Sequence, residues 1–362
     1  MKINSIEFEN FRNIEKLSIN FDDVNIIYGE NAQGKTNLIE GIYLFTGAKS
    51  FRSVRDKELI KFGCDFSRLK IDFINKNRLQ TAEITIKNKR EATLNGVKKK
   101  SPVMLGEEMK AVIFSPVHLS MVKDGPEERR KFIDGALCQI KSNYRNILKE
   151  YNKVLSQRNA LLKDIAVNYS LADMLYVWDK SFAKYGAKII YQRQKYIEAL
   201  LPYAKEIYGG LSNGREEINL ALKGFKNCEN LTAEEIENKL MIALQNNRQA
   251  DLIAKTTLIG PHRNDVEILI NGNSARKYGS QGQQRSCVLA LKLAEASLLR
   301  EKTQDEPVAL LDDVMSELDE KRQDYILNHI KDWQVFITCC DPASVLRLKQ
   351  GKTFHINDGK AI

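Results

Sequence analysis

The alternation of apolar and polar residues is strongest in the first third of the chain. Between residues 2 and about 115, apolar side chains recur at every second position in segments such as Leu69–Phe73 and Ala82–Ile86. Two-residue alternation is typical of half-buried strands, because successive side chains point to opposite faces of a sheet. The Asn95-Gly96 pair that follows predicts a hairpin turn. This part of the chain is therefore predicted to be mainly β-structure.

The apolar spacing becomes helical from Pro126 to about Asn247. Two long, charge-rich segments, 140–163 and 171–208, carry apolar residues three and four positions apart. Neither keeps a strict heptad repeat for long, so a compact helical lobe is predicted rather than an extended coiled coil. After about Leu252, strands and helices alternate again.

Residues 29–36 form a complete G-x-x-x-x-G-K-[ST] motif, which reads Gly29-Glu30-Asn31-Ala32-Gln33-Gly34-Lys35-Thr36. The motif follows an apolar run typical of a buried strand and precedes helical spacing that starts at Asn37. In this context glycines let backbone N–H groups surround phosphate oxygens, and the helix adds its positive N-terminal end. Lys35 is predicted to bind the β- and γ-phosphates and Thr36 the Mg²⁺. Residues 29–36 together with Asn37 are therefore predicted to bind a nucleoside triphosphate.

A second candidate site is the apolar segment 307–311, which ends in Asp312 and Asp313. A carboxylate at the end of a strand beside a phosphate loop can hold Mg²⁺ and its waters. Asp312 suits that role, and Asp313 could orient the attacking water or accept its proton. These two acids and Lys35 are the predicted catalytic residues.

A third candidate site precedes an apolar helix at residues 286–299. Ser280, Gln281 and Gly282 place small residues and a hydroxyl where that helix begins, which is a typical anion site. One nucleotide does not need two phosphate-binding helix ends so far apart in one polypeptide. The sequence therefore predicts a second copy of the chain, with Ser280–Gly282 of each copy capping the γ-phosphate held by Lys35 of the other.

Together these features predict an α/β nucleotide-binding head of mixed sheets and helices with an inserted lobe. Residues 1–125 would form the first half of the head with the phosphate loop, and residues 126–250 an all-helical lobe. Residues 251–362 would form the second half of the head, with the Ser280–Gly282 segment and the acidic strand end.

These motifs resemble the ATP-binding-cassette heads, and within them the group that carries an insertion between the two halves and includes the structural-maintenance-of-chromosomes proteins. The chain is most similar to the RecF family of bacterial DNA replication and recombination-repair proteins. The segments that carry this resemblance span nearly the whole chain: Phe11-Arg12-Asn13, 29–36, 49–52, 114–116, 129–134, Gly260-Pro261-His262-Arg263, 279–285 and 311–319.

The resemblance implies an ATP- and Mg²⁺-dependent protein that is a slow ATPase, with Asp312 as metal ligand and Ser280–Gly282 acting across a homodimer. It implies that ATP closes the dimer on double-stranded DNA and on junctions of single- and double-stranded DNA, and that hydrolysis releases it. RecR and RecO would be its partners in loading RecA at gaps. Arg12, just after the first strand, would lie near the nucleotide.

Two departures from the cassette pattern concern hydrolysis. Many cassette heads carry a histidine after the strand that corresponds to residues 335–338, whereas this chain has Cys339-Cys340-Asp341. Thr338 or Asp341 could take its place. Asp313 stands where transporter heads have a glutamate, and its shorter side chain fits slow hydrolysis.

The net charge of +9 and pI of about 9.0 favour a polyanionic partner. The excess is concentrated in residues 87–100, with six basic side chains against Glu91, and in the run Arg129-Arg130-Lys131. The sequence does not decide which run contacts DNA. The six cysteines show no zinc-binding spacing, and no apolar run is long enough to cross a bilayer. A cytoplasmic protein without membrane contacts is therefore expected.

Two other functions remain open at this point. A transporter ATPase subunit would share the phosphate loop, but the helical insertion and the basic charge argue against it. A chromosome-organising head would share the insertion, but its arms run to hundreds of residues, whereas this insertion has about 110–120.

Overall fold

The computed structural model describes residues 1–52, 54–119, 121–225, 228, 230–346 and 350–361. The strands are β1 (Lys2–Phe11), β2 (Ile14–Asn20), β3 (Val24–Tyr28), β4 (Ser67–Asn75), β5 (Arg78–Ile86), β6 (Arg90–Leu94), β7 (Val97–Lys98), β8 (Ala111–Phe114), β9 (Ile218–Lys223), β10 (Asp265–Ile270), β11 (Asn273–Ser274), β12 (Val308–Asp312), β13 (Val335–Cys339), β14 (Lys352–Asn357) and β15 (Lys360–Ala361). The helices are α1 (Lys35–Leu44), α2 (Pro116–Leu119), α3 (Pro126–Ile140), α4 (Tyr144–Ile165), α5 (Leu175–Ser212), α6 (Ala233–Asn246), α7 (Arg248–Ala254), α8 (Ala275–Tyr278), α9 (Gln281–Thr303), α10 (Glu320–His329) and α11 (Ala343–Leu346).

The chain divides into two compact units. The first comprises Met1–Ser120 and Val288–Ile362, and the second comprises Met121–Cys287. The return to the first unit thus comes at residue 288, later than the boundary predicted at residue 251. The reason is a strand pairing, since β10 runs antiparallel to β9 and so ties residues 265–270 to a strand of the second unit.

The first unit contains an antiparallel sheet with the strand order β2-β1-β4-β5-β6-β7. The two-residue alternation of the sequence is confirmed here, because Leu69, Ile71 and Phe73 on β4 are buried while the residues between them are partly or fully exposed. Helix α1 contacts strand β1 of this sheet. Gly41 permits that contact, since a Cβ there would lie 2.2 Å from Cε1 of Phe8.

A second sheet of the first unit has the order β15-β14-β3-β13-β12-β8, in which β14 through β8 are parallel. Strands β3, β12 and β13 are buried along almost their whole length, as parallel strands covered on both faces require. The register pairs Asp312 with Thr338 and Thr338 with Ile27. The carboxyl ends of these strands therefore meet at one edge, where ligands of open α/β sheets usually bind.

The second unit contains helices α3 to α8, the start of α9 and a small sheet of order β11-β10-β9. The expectation of an all-helical segment 126–250 is wrong for residues 218–223, which form β9. Its residues Ile218, Leu220 and Leu222 alternate with Asn219 and Ala221, a strand pattern within a segment whose other apolar spacing is helical.

A buried charged group lies within the helices of the second unit. Arg158 is fully buried, and its Nε donates to Asp179 Oδ1 at 2.7 Å. Its Nη1 donates to Asp251 Oδ2 and to Thr257 Oγ1, both at 2.7 Å. Such a buried guanidinium depends on its carboxylates, because an unpaired charge in the interior is strongly destabilising. Throughout the described residues, no helix has the length and apolar character needed to cross a membrane.

Candidate nucleotide-binding site

The phosphate loop joins β3 to α1 with a backbone that only certain residues can adopt. Gly29 and Gly34 have φ of 150° and 111°, and Ala32 also has a positive φ of 66°. A Cβ on Gly29 would lie 2.3 Å from the carbonyl oxygen of Ile356, and one on Gly34 would lie 2.8 Å from Asn13 Oδ1. Both motif glycines are therefore required by conformation and by the lack of space.

Residues outside the motif hold the loop in place. Asn13 donates from Nδ2 to the carbonyl oxygen of Gln33 at 3.1 Å and accepts from Asn37 Nδ2 at 2.8 Å. The Gln33 carbonyl also accepts from the Gly359 N–H at 2.9 Å, and Gln33 Oε1 accepts from the Asp358 N–H at 2.7 Å. Asn13 was not among the predicted site residues, although it belongs to the Phe11-Arg12-Asn13 segment that the sequence singled out.

Lys35 is the first residue of α1, at the end of the loop, and it is almost fully buried. Its Nζ donates to the carbonyl oxygens of Gly29 at 2.7 Å and Glu30 at 3.0 Å, and it lies 3.6 Å from Cys340 Sγ. The Cys340 thiol in turn lies 3.2 Å from Asn31 Oδ1. The ammonium group is thus fixed where the loop could surround a phosphate.

Asp312 is the centre of a second group of contacts beside the loop. Its Oδ1 accepts from Thr36 Oγ1 at 2.9 Å and from Thr338 Oγ1 at 3.0 Å. Burial raises the pKa of the Asp312 carboxyl, while the hydrogen bonds from the two threonines act in the opposite direction. A nearby cation would favour the ionised form of this carboxylate.

The donor set fits a Mg²⁺ ion that is shared with phosphates. Mg²⁺ typically binds one or two carboxylates, substrate phosphates and several waters rather than an all-protein cage. Asp312 and Thr36 supply a carboxylate and a hydroxyl at one point. In the described part of the chain, no three His, Cys, Asp or Glu side chains form a metal-binding group.

Thr338 connects the two predicted acids. Besides its bond to Asp312, its Oγ1 accepts from the Asp313 N–H at 2.9 Å. Asp313 has a φ of 50°, a left-handed conformation that is uncommon outside glycine. Of the two residues proposed to replace the cassette histidine, Thr338 is the one in contact with Asp312, whereas Asp341 Oδ1 accepts from the Ala343 N–H at 3.0 Å.

Arg12 pairs with a buried carboxylate. Its Nε and Nη2 donate to Glu40 Oε2 and Oε1 at 3.0 and 3.1 Å, and its Nη1 donates to the carbonyl oxygen of Glu58 at 3.0 Å. Glu40 lies on α1 and is fully buried, so this bidentate pair fixes the start of the chain to the phosphate-loop helix. A contact between Arg12 and a nucleotide stays a prediction.

Ser280, Gln281 and Gly282 lie in the second unit, where α9 begins. The Ser280 N–H donates to Gln283 Oε1 at 2.7 Å, and the Gln283 N–H donates to Ser280 Oγ at 3.2 Å, which is a reciprocal helix cap. Ser280 and Gln281 are exposed, and Gly282 is half-buried. This segment is accessible at the surface, and its action on a second copy stays a prediction.

His262 lies in the Gly260–Arg263 loop of the second unit. Its Nδ1 is 2.6 Å from Tyr151 Oη, and its Nε2 is 3.0 Å from the carbonyl oxygen of Thr257. Burial lowers its pKa, so the neutral ring is favoured. Both ring nitrogens are thus used to hold the loop within its own unit.

Comparison with known proteins matches this chain to relatives along nearly its full length. Residues 2–356 match the family model described as the RecF/RecN/SMC N terminal domain. A protein named DNA replication and repair protein RecF from Lachnospira eligens is 40% identical, covering 100% of this chain and 99% of its own length. The protein of the same name from Clostridioides difficile is 38% identical, with coverage of 100% and 98%.

Solved structures agree with these relatives. The structure described as the recombination mediator protein RecF-ATPrS in the RecFOR pathway has a TM-score of 0.93 at 38% identity, covering 99% of this chain and 97% of that one. The corresponding RecF-ATP structure has a TM-score of 0.92 at 38% identity, with coverage of 100% and 97%. The Smc head domain from Pyrococcus furiosus has a TM-score of 0.54 at 17% identity, and the match covers 99% of this chain and 95% of that chain. At this low identity the likeness concerns the fold alone. The predicted α/β cassette-type head is confirmed.

Proposed function

Because the chain belongs to the RecF family of DNA replication and repair proteins, we propose that it is a DNA-binding protein of replication and recombinational repair whose DNA affinity is switched by ATP. The transporter alternative and the chromosome-organising alternative are set aside, since relatives of 38–40% identity over the whole chain carry the RecF name. The solved relatives named with ATP and ATPrS support ATP as the nucleotide.

One observation carries this proposal. The hydroxyls of Thr36 and Thr338 meet on a single oxygen of the buried Asp312, at the same strand edge as the Lys35 ammonium. In this proposal Lys35 and the loop N–H groups bind the phosphates, and Thr36 and Asp312 hold Mg²⁺. The bound ion would supply neutralisation of phosphate charge.

We propose that ATP hydrolysis is slow and that it releases the protein from DNA. Asp313 would orient the attacking water or accept its proton. Its carboxylate is one methylene shorter than the glutamate of fast cassette ATPases, and its backbone is held in a left-handed conformation by Thr338. The shorter side chain reaches less far towards the attacking water, whereas the bond to Thr338 fixes the position of Asp313.

A closed homodimer is the proposed DNA-binding state. The exposed Ser280–Gly282 segment at the start of α9 would reach the phosphates held by Lys35 of a second copy. Double-stranded DNA and junctions of single- and double-stranded DNA are the proposed substrates. RecR and RecO are the proposed partners in loading RecA, by analogy with the RecFOR pathway named for the solved relatives. The proposed location is the cytoplasm, where bacterial DNA is repaired.

The proposal is tested by measuring Mg-ATP binding and self-association in parallel. A fluorescent ATP analogue would report binding, and sedimentation velocity would report the dimer. Lys35→Ala is expected to weaken nucleotide binding about 30-fold or more and to abolish the ATP-dependent dimer, because it removes the phosphate-binding cation. Ser280→Ala is expected to keep monomer binding near wild type while weakening the dimer. If Lys35→Ala still dimerised with ATP, the assignment of the loop would be wrong.

A further inference from the structure

The two basic runs of the sequence differ in how far carboxylates neutralise their charges in the fold. In the run 129–131, Arg129 is buried and donates to both carboxylate oxygens of Asp265, at 2.7 and 3.0 Å. Lys131 lies 3.0 and 2.8 Å from the carboxylates of Glu127 and Glu128. The charges at both ends of this run are therefore already paired with carboxylates within the second unit.

The run 87–100 folds so that its lysines gather at one end of the antiparallel sheet. Ile86 pairs with Arg90, which places Lys87 and Lys89 in the turn between β5 and β6. Strand β7 then runs back along β6, and the Lys99 N–H donates to the carbonyl oxygen of Ala92 at 2.9 Å. The chain after β7 therefore leads Lys99 and Lys100 towards that same turn.

Carboxylates neutralise only part of this cluster. Lys98 lies 2.9 Å from Glu91, and Arg90 is paired with Asp56. The pKa of Glu91 is lowered most by Lys98 and less by Lys87 and Lys89. This agrees with the position of all three ammonium groups near Glu91. In the described part of the chain, Lys87, Lys89, Lys99 and Lys100 have no carboxylate within 4 Å of their ammonium groups. These four residues form the lysine edge.

The lysine edge lies beside Arg90, which contacts the part of the chain that also contacts the phosphate-loop helix. Arg90, beside the lysine edge, donates to the carbonyl oxygen of Ala48 at 2.7 Å and pairs with Asp56. Arg52 of the same part of the chain donates to Asn37 Oδ1 at 2.9 Å, in the first turn of α1.

We propose that the lysine edge binds the phosphodiester backbone of double-stranded DNA. The inference rests on the proposed function, and it assigns a surface to that activity. Lysine ammonium groups act as point charges without base specificity, which suits the regular spacing of about one negative charge per 1.7 Å along duplex DNA. Their binding would release condensed counterions, so the contribution of the lysine edge is strongly salt-dependent.

The test compares matched charge removals at opposite ends of one sheet. Lys87→Gln with Lys89→Gln removes two charges from the lysine edge, and Lys99→Gln with Lys100→Gln removes the other two. Lys76→Gln with Arg78→Gln is the control, because these exposed residues lie at the turn between β4 and β5, at the other end of the sheet. Duplex DNA affinity with Mg-ATP is measured by fluorescence anisotropy over a salt series, together with nucleotide binding.

Each lysine-edge variant is expected to weaken DNA binding by about 10- to 60-fold at 0.1 M salt and to lower the magnitude of the salt slope by about 1–2, since each phosphate contact contributes about 0.9. The control should stay near wild type, and nucleotide binding should not change. Equal DNA affinity in the lysine-edge variants and the control would overturn the proposal and point to an acidic protein as the ligand of this surface. If wild type itself bound no DNA with ATP, the proposed function would fail first.

Discussion

Thr338→Val tests whether one buried hydroxyl positions both acids of the site. Valine keeps the shape of threonine but removes the donor to Asp312 Oδ1 at 3.0 Å and the acceptor of the Asp313 N–H at 2.9 Å. A hydrogen bond to a charged group contributes about 1.5–3 kcal/mol, and a typical neutral one about 1 kcal/mol. We therefore expect a loss of about 2–4 kcal/mol in the free energy of unfolding, together with slower ATP hydrolysis.

The assay is urea denaturation of the metal-free protein at several pH values. Burial already raises the pKa of Asp312, and losing the Thr338 bond would raise it further. A carboxyl with a raised pKa in the folded state contributes its stability at low pH and loses it as the pH rises through that pKa. The deficit of Thr338→Val should therefore be largest at neutral pH and should shrink as the pH falls. For Thr338→Ser, which keeps the hydroxyl, the difference in stability from wild type should change little with pH. A deficit that is the same at every pH would refute the reasoning.

Asp312→Asn should stabilise the metal-free protein near pH 7, because it removes a buried charge, and this gain in stability should fade at lower pH. A thermal melt measures the effect, and destabilisation at pH 7 would contradict the prediction. Arg158→Ala should cost about 3–5 kcal/mol in urea denaturation by leaving Asp179 and Asp251 unpaired, and a loss below about 1 kcal/mol would count against the buried group. Gly29→Ala should abolish nucleotide binding, whereas Gly135→Ala, where the space is open, should not.

The parts of the fold that depend on local sequence could be predicted. The phosphate loop is a contiguous motif, so its glycines and Lys35 were recognisable without knowledge of distant contacts. The strands of the antiparallel sheet follow from two-residue alternation, because one face of that sheet is buried. The family resemblance was confirmed by relatives that cover the whole chain.

The parts that depend on strand register could not be read in the same way. Thr338 reaches Asp312 only because β12 and β13 are parallel neighbours in one particular register, so the sequence left Thr338 and Asp341 as equal candidates. Asn13 contacts the loop from a segment that precedes it by more than fifteen residues. The pairing of β9 with β10 likewise extends the second unit to residue 287, which helical spacing alone did not indicate.

The central claim is that nucleotide held by the phosphate loop controls affinity for DNA. The most direct measurement is the dissociation constant for duplex DNA, with and without Mg-ATP, for wild type and Lys35→Ala at one moderate salt concentration. Wild type should bind DNA much more tightly with Mg-ATP, and Lys35→Ala should bind with the same low affinity in both conditions. Equal affinity of wild type with and without ATP, or an ATP response retained by Lys35→Ala, would contradict the account.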